Sequence, residues 1–317
     1  MSKVALKERI RKTQKGRDAL TGVFLSENNS LIDTDRIKLK MNGGLYTDEN
    51  TRLIDPVAHM KRHGNYRERE KQLNTLKTII DGREQLQKLI NSFNNRMLAV
   101  KRRTDDLDKD TMEFLAVEQE NVKKRLALQD RIIVKHLKTM KWDIIQSASD
   151  VKGVGPITIA YLIAYIDITK AKYASSLWSY VGFHKASHER YEKGVAGGGN
   201  RTLRTILFNT GDSMIKCRSP YRDVYDNDKL RLSGSKKIVK SRNTQGKLIE
   251  CEWRETKLCH RHGAAKRKML KHFLADFWYV WRTIEGLPTP NLYVEEKLGH
   301  TGIIKPEERG WIYESTK

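Results

Sequence analysis

Cysteine is scarce: the 317 residues hold Cys217, Cys251 and Cys259. An odd count this low cannot supply a disulfide framework, and a reduced, cytoplasmic setting is expected. No apolar run approaches the roughly 20 residues a membrane span needs, so no membrane partner is expected. The opening residues, Met1 to Arg9, lack the apolar stretch of a signal peptide, which points away from secretion. Acidic residues are also in deficit, 39 Asp and Glu against 61 Lys and Arg, a formal charge of +22. An excess of that size selects polyanionic partners, nucleic acid foremost. The chain is long enough to bury a sizeable core, and no internal repeat is visible.

The chain reads in four parts. Residues 1–66 are basic and turn-rich. The first seventeen carry seven Lys or Arg and one Glu, a basic arm or short exposed helix. A hairpin is expected among the breakers that follow, with no register assigned. Residues 67–142 hold two apolar stripes at steps of three and four. The first is Leu76, Ile79, Leu86, Ile90, Phe93, Met97 and Val100, interrupted by Arg83. The second is Met112, Leu115, Val122, Leu126, Ile133 and Met140, with Gln119, Gln129 and His136 as polar members. This spacing predicts either an antiparallel helical hairpin or helices that pair between chains, giving a homodimer or higher oligomer. Residues 143–290 form an aromatic-rich helical body in which Ser233–Lys247 reads as a flexible basic loop. Residues 291–317 form a tail. The fold class is therefore mainly α, a long coiled-coil-like hairpin followed by a helical domain.

The sharpest local pattern is Asp150-Val151-Lys152-Gly153-Val154-Gly155-Pro156-Ile157-Thr158. It predicts a helix, a tight turn, and a second helix opened by Pro156, whose missing N–H suits the first helical position. Free N–H groups at that helix start beside Lys152 make a phosphate site, the arrangement of a helix-hairpin-helix that holds a nucleic-acid backbone without reading bases. Lys152, Gly153, Val154, Gly155 and Thr158 are its candidate contacts. Further phosphate contacts are expected from Arg190, Lys193, Arg201 and Arg204. On the helix carrying Met269, Phe273, Phe277 and Trp281, the aromatics belong in the core, and Lys266, Arg267 and Lys271 suit a nucleic-acid groove. Cys251, Cys259, His260 and His262 do not have the paired spacing of a zinc finger, and no metal site is assigned to them. Asp105, Asp106, Asp108 and Asp110 read as a solvated turn rather than a magnesium site.

Residues 150–288 resemble the C-terminal domain of insertion-sequence transposases of the IS one-ten class. Four pieces carry the resemblance: Gly153 to Thr158; Leu177-Trp178-Ser179-Tyr180-Val181-Gly182-Phe183; Gly199-Asn200-Arg201-Thr202-Leu203-Arg204-Thr205-Ile206-Leu207; and Ala264-Ala265-Lys266-Arg267-Lys268-Met269-Leu270-Lys271. The resemblance implies DNA recombination, a structured guide RNA as partner, and a serine nucleophile in this domain. It also implies a RuvC-like nuclease fold ahead of it, holding metal through acidic residues. Here the only β-like stretch near the start, Thr21 to Ser26, has no such aspartate. The loop before Gly199 is short, and Ser187 is its only serine, followed by His188, so Ser187 is the candidate nucleophile. The pattern is similar to the short stand-alone relatives carried by phages. The expected function is sequence-independent binding of DNA backbone in mobile-element or phage DNA metabolism. An active serine-type recombinase, which would need Mg²⁺, and an RNA-binding protein without catalysis stay open. Outside the recombinase case no cofactor is expected.

Overall fold

The computed structural model describes residues 3–25, 27, 32–37, 45–54, 56–102, 109–184, 199–243, 245–285, 287, 289 and 304–314. It is mainly α, with two small two-stranded sheets. The chain divides into two compact units, Met1–Asn74 and Thr75–Lys317.

In the first unit, helix α1 (Lys3–Thr13) is followed by strands β1 (Asp33–Arg36) and β2 (Thr51–Ile54). The strands pair antiparallel from Asp33 opposite Ile54 to Arg36 opposite Thr51. Leu6 and Ile10, one helical turn apart, pack with Ile32 and Leu53. The basic start is therefore a docked helix, not an exposed arm: Leu6 and Ile10 face the strands, Arg9 and Lys12 are exposed, and Lys7 donates to the Ile32 carbonyl. Asp35 is buried and holds the Arg52 guanidinium at 2.9 Å. The Asp18 carboxylate accepts the backbone N–H groups of Leu20 and Thr21, which fixes the following turn.

Helix α2 runs from Pro56 to Val100. Its start lies ahead of the Tyr66 expected from periodicity, because His59, Lys61, Arg62, His63, Gly64 and Asn65 leave no apolar stripe to read. In the second unit α2 pairs within the chain with α3 (Lys109–Met140). Ile90, Phe93, Leu115 and Val122 form the seam, flanked by Leu86, Met97, Val100 and Leu126. Polar pairs fix its direction. Gln119 donates to Asn94 Oδ1 at 2.6 Å, Gln129 donates to the Ile79 carbonyl at 2.9 Å, and Arg83 meets Asp130 at 2.5 Å. Moving back along α2 means moving forward along α3, so the hairpin is antiparallel. Arg83 also donates to the Tyr161 hydroxyl at 3.2 Å, and that hydroxyl donates to Glu84.

The rest of the second unit is built on α9 (Leu258–Ile284), whose Met269, Phe273, Phe277 and Trp281 are buried. Helices α4 (Asp143–Ser149), α5 (Pro156–Tyr165), α6 (Ala174–Tyr180), α7 (Arg201–Lys216) and α8 (Arg222–Gly234) precede it. Helices α4, α6, α7 and α8 pack on α9, and α5 packs on α3, α4 and α7. Two indole N–H groups anchor this packing: Trp278 to the Ala171 carbonyl at 2.7 Å, and Trp178 to the Lys271 carbonyl at 3.0 Å. Residues 233–247, expected as a flexible loop, contain strand β3 (Ile238–Arg242), which pairs with β4 (Leu248–Glu252). The hairpin is mostly exposed, and its many cations disguise the alternation in sequence.

The tail is also more than a tail. Residues 304–314 bury Trp311 and Arg309 in the second unit. Arg309 donates to Asp276 at 2.8 Å, and the Trp311 indole N–H donates to the Tyr221 hydroxyl at 2.7 Å. Among the described residues no helix is long and apolar enough to cross a membrane.

Candidate nucleic-acid interface

Asp150 caps the end of α4, and its N–H still bonds the Gln146 and Ala148 carbonyls. Five residues later Gly155 caps α5 in an extended conformation, with Pro156 in the first helical turn. The two glycines of this turn do different work. Gly153 has φ +95°, and a Cβ there would lie 2.8 Å from Met214 Cα and 2.9 Å from Cys217 Sγ. It therefore lets the turn press directly onto the end of α7. Gly155 has open space where a Cβ would be.

That contact gathers cations. Lys152 is exposed beside Gly153, and Lys216 and Arg218 are exposed on either side of Cys217. Arg218 has φ +55°, a conformation a non-glycine residue adopts at a cost, so the turn out of α7 is specified by its surroundings. Neither Lys152 nor Lys216 has an ion-pair partner among the described residues. The first-turn N–H groups of α5 lie at the same corner and carry the positive end of the helix dipole. Lys216 and Arg218 were not singled out from sequence, because only the Gly153 contact, some sixty residues away in the chain, connects them with Lys152.

Thr158 does not belong to this surface. It is buried, and its hydroxyl shares a 2.7 Å hydrogen bond with Thr210 on α7. Val154 is likewise buried. Both serve to lock the turn and not to meet a ligand.

A second corner forms where α6 hands over to α7. Gly199, at φ +70°, fits so closely against Tyr180 and Gly182 that a Cβ would sit 2.7 Å from the Gly182 nitrogen. Asn200 caps α7 by accepting the Leu203 N–H at 2.9 Å. Arg204 donates to the Gly182 carbonyl at 3.0 Å, with Phe183 and Phe208 beside its guanidinium. Arg204 thus clamps the strand of chain entering the loop, while Arg201, at the helix start, is exposed. Ser187, Arg190 and Lys193 lie in 185–198, outside the described residues.

On α9 the three expected contacts part company. Lys266 is buried, pairs with Asp212 of α7 at 2.7 Å, and lays its stem across Gly211. It is a helix-to-helix tie, not a phosphate contact. Three residues before Met269 and seven before Phe273, it sits on the buried face. Lys271 is half-buried with its ammonium 5.4 Å from the Trp178 ring centre. Burial, and then the nearby Arg267, draw its pKa below the ordinary lysine value. Arg267 is half-buried too. Lys268 reaches Asp228 of α8 at 2.9 Å, an acid that is itself buried and also holds Arg231. Asp212 and Asp228 are the residues that sequence reading missed, and they join α7 and α8 to α9.

His262 bonds the Tyr225 hydroxyl through Nδ1 at 2.8 Å and lies 3.8 Å from Asp212. Cys217, Cys251 and Cys259 are free thiols, Cys259 exposed. Among the described residues no three His, Cys, Asp or Glu side chains group as a metal site would require. Asp105, Asp106 and Asp108 lie outside the described residues, while Asp110 opens α3.

One titration follows from this packing. His272 is pushed down to about 4 by burial first, with Arg309 and Lys268 adding to it, against an ordinary value of 6.5. The folded ring stays neutral while the unfolded chain takes up its proton near 6.5, so stability falls as pH drops through that window. The expected loss between about pH 6.5 and 4 is up to about 3 kcal/mol from this group. Denaturant midpoints across that range should flatten in His272→Gln. An unchanged profile in the variant would remove His272 as the cause.

No protein-family model matches the chain, and no curated protein matches it significantly.

Proposed function

We propose that this chain binds the phosphate backbone of nucleic acid, DNA before RNA, at the corner formed by the Gly153 turn and the end of α7. The observation that carries the reading is the grouping of exposed Lys152, Lys216 and Arg218 around the start of α5, on a chain of net charge +22. Phosphate oxygens need N–H donors and cations at fixed spacing, and need no base edge. The fit is to a sequence-independent DNA-binding protein of recombination or mobile-element metabolism, working in the cytoplasm of a bacterial or phage-infected cell. Its likeness to transposases belongs to this proposal.

Salt-series titrations on duplex DNA, branched DNA, single-stranded DNA and structured RNA test it. Each neutralised phosphate contributes close to one unit of slope in log K against log salt. The triple variant Lys152→Ala, Lys216→Ala, Arg218→Ala should weaken binding and lower that slope by about 2 to 3. An unaltered slope would remove this corner from the interface. Tightest binding to structured RNA would move the reading to a protein that keeps a guide-RNA surface.

The second corner favours one further possibility, a serine-type recombinase. Gly182 and Gly199 bring together the two ends of the segment that holds Ser187. In that case Ser187→Ala abolishes a covalent protein–DNA adduct and leaves binding intact.

A further inference from the structure

Helix α3 carries two apolar faces, and the hairpin uses one. Leu115, Gln119, Val122, Ile133, Leu137 and Met140 are buried. On the opposite side Phe114, Val117, Leu128 and Ile132 stand in solvent, with relative exposures of 63%, 54%, 57% and 42%. At 3.6 residues per turn, Phe114 and Ile132 are five full turns apart and point the same way. Val117 and Leu128 fall within about 60° of them, so the four lie along one line about 27 Å long, as two apolar pairs on either side of exposed Asn121 and Arg125. Such a stripe on a helix already packed along its other side is a surface in want of a partner.

The charges beside the stripe identify that partner. From 110 to 120, α3 carries Asp110, Glu113, Glu118 and Glu120 and no cation. From 121 to 140 it carries Lys123, Lys124, Arg125, Arg131, Lys135 and Lys138, with one acid, Asp130, which is paired to Arg83. The apolar pairs are centred at positions 122.5 to 123 and the charge pairs at 121.5 to 122.5, close to one point on the helix. Phe114 and Ile132 each stand nine residues from Lys123, and Val117 and Leu128 stand six and five from it. Glu113 with Arg131, Glu120 with Lys124, Asp110 with Lys135, and Glu118 with Arg125 straddle the same point.

We infer that the outer face of α3 pairs with the same face of a second copy of this chain, antiparallel, about a two-fold axis near Lys123. In that arrangement Phe114 of one copy meets Ile132 of the other, and every acid of the first half faces a cation of the second. Glu113, Glu120, Lys124 and Arg131 lie on one flank of the stripe, and in an antiparallel helix pair each flank faces its own copy. A parallel pair would set like charges against each other. The interface is isologous and closes at two copies. It does not depend on nucleic-acid binding.

Sedimentation of the full-length protein over a concentration series tests the pairing. Two double variants are used, Glu113→Lys with Glu120→Lys, and Lys124→Glu with Arg131→Glu. All four positions are exposed, and circular dichroism with a thermal melt checks that each variant keeps its helices. The wild type should dimerise. Each double variant should dimerise about a hundredfold more weakly, because the symmetry doubles every inverted pair. An equimolar mixture of the two should recover the wild-type affinity, since each altered residue then faces its complement. A monomeric wild type overturns the proposal, and so does a dimer that persists in both variants. A mixture that stays monomeric, or a loss in only one variant, overturns the antiparallel register.

Discussion

Trp311→Ala should lower the unfolding free energy of the Thr75–Lys317 unit by about 4 kcal/mol, the upper range for emptying a buried aromatic site. The side chain is 1% exposed and stacks on Phe273, ring centres 5.9 Å apart and planes 24° from parallel, with Phe277 at 6.2 Å. Alanine leaves a cavity among these rings and also orphans a polar chain. Trp311 donates to the Tyr221 hydroxyl, which donates to Asp276 at 2.5 Å, which accepts from Arg309. Burial, reinforced by Asp276, holds the Tyr221 phenol well above its ordinary pKa, so it remains a donor at any working pH. Trp311→Phe separates the two effects. It keeps most of the stacking and removes the N–H, for an expected loss of about 1 to 2 kcal/mol. Denaturant unfolding of the full chain measures both. A loss below about 1 kcal/mol for the alanine variant would mean that residues 304–314 rest on the unit without completing its core.

Gly153→Ala should cost about 3 kcal/mol or more, whereas Gly155→Ala should stay within about 1 kcal/mol of the wild type. The two positions look interchangeable in Gly-Val-Gly. Their backbones separate them, since alanine at 153 must hold φ +95° and push its methyl into Met214 Cα. The neighbour is backbone, so no side-chain rotation relieves it. Position 155 sits at φ −88°, where any residue is at ease. The same pair reports on binding. Gly153→Ala separates Lys152 from Lys216 and Arg218 and should weaken DNA binding beyond its effect on folding, while Gly155→Ala should bind normally. Equal stability in the two variants would show that the turn can move away from α7 without penalty.

The parts of the fold that repeat were legible in sequence. The stripes of α2 and α3 and the aromatic ladder of α9 each place an apolar residue every three or four positions, and one dimension is enough to see that. Arg83 looked like a fault in the first stripe because its partners, Asp130 and Tyr161, lie 47 and 78 residues away. Lys266 was misread for the opposite reason. Its place on the apolar face was visible, but lysine chemistry suggested a ligand, and the acid that lets it be buried stands 54 residues earlier. Of the candidate site, Lys152 and the turn glycines could be read because helix punctuation is local. Lys216 and Arg218 could not, since their nearness to Lys152 depends on a tertiary contact. Residues 304–314 offered no period at all: a single ring and a single guanidinium do the packing there.

The burial of Trp311 also sets an order of events during synthesis. Tyr221 and its hydrogen-bond partner Trp311 are 90 residues apart. At a translation rate of about 5–20 residues per second, α8 waits on the order of 5–20 s before the ring that seals it is made. Through that interval Phe273 and Phe277, once synthesised, have an open side, and the Asp276 carboxylate has no guanidinium beside it. The nascent unit is then a substrate for whatever recognises exposed aromatics. A chain that ends ahead of residue 309 keeps that open side and leaves the Asp276 carboxylate without Arg309.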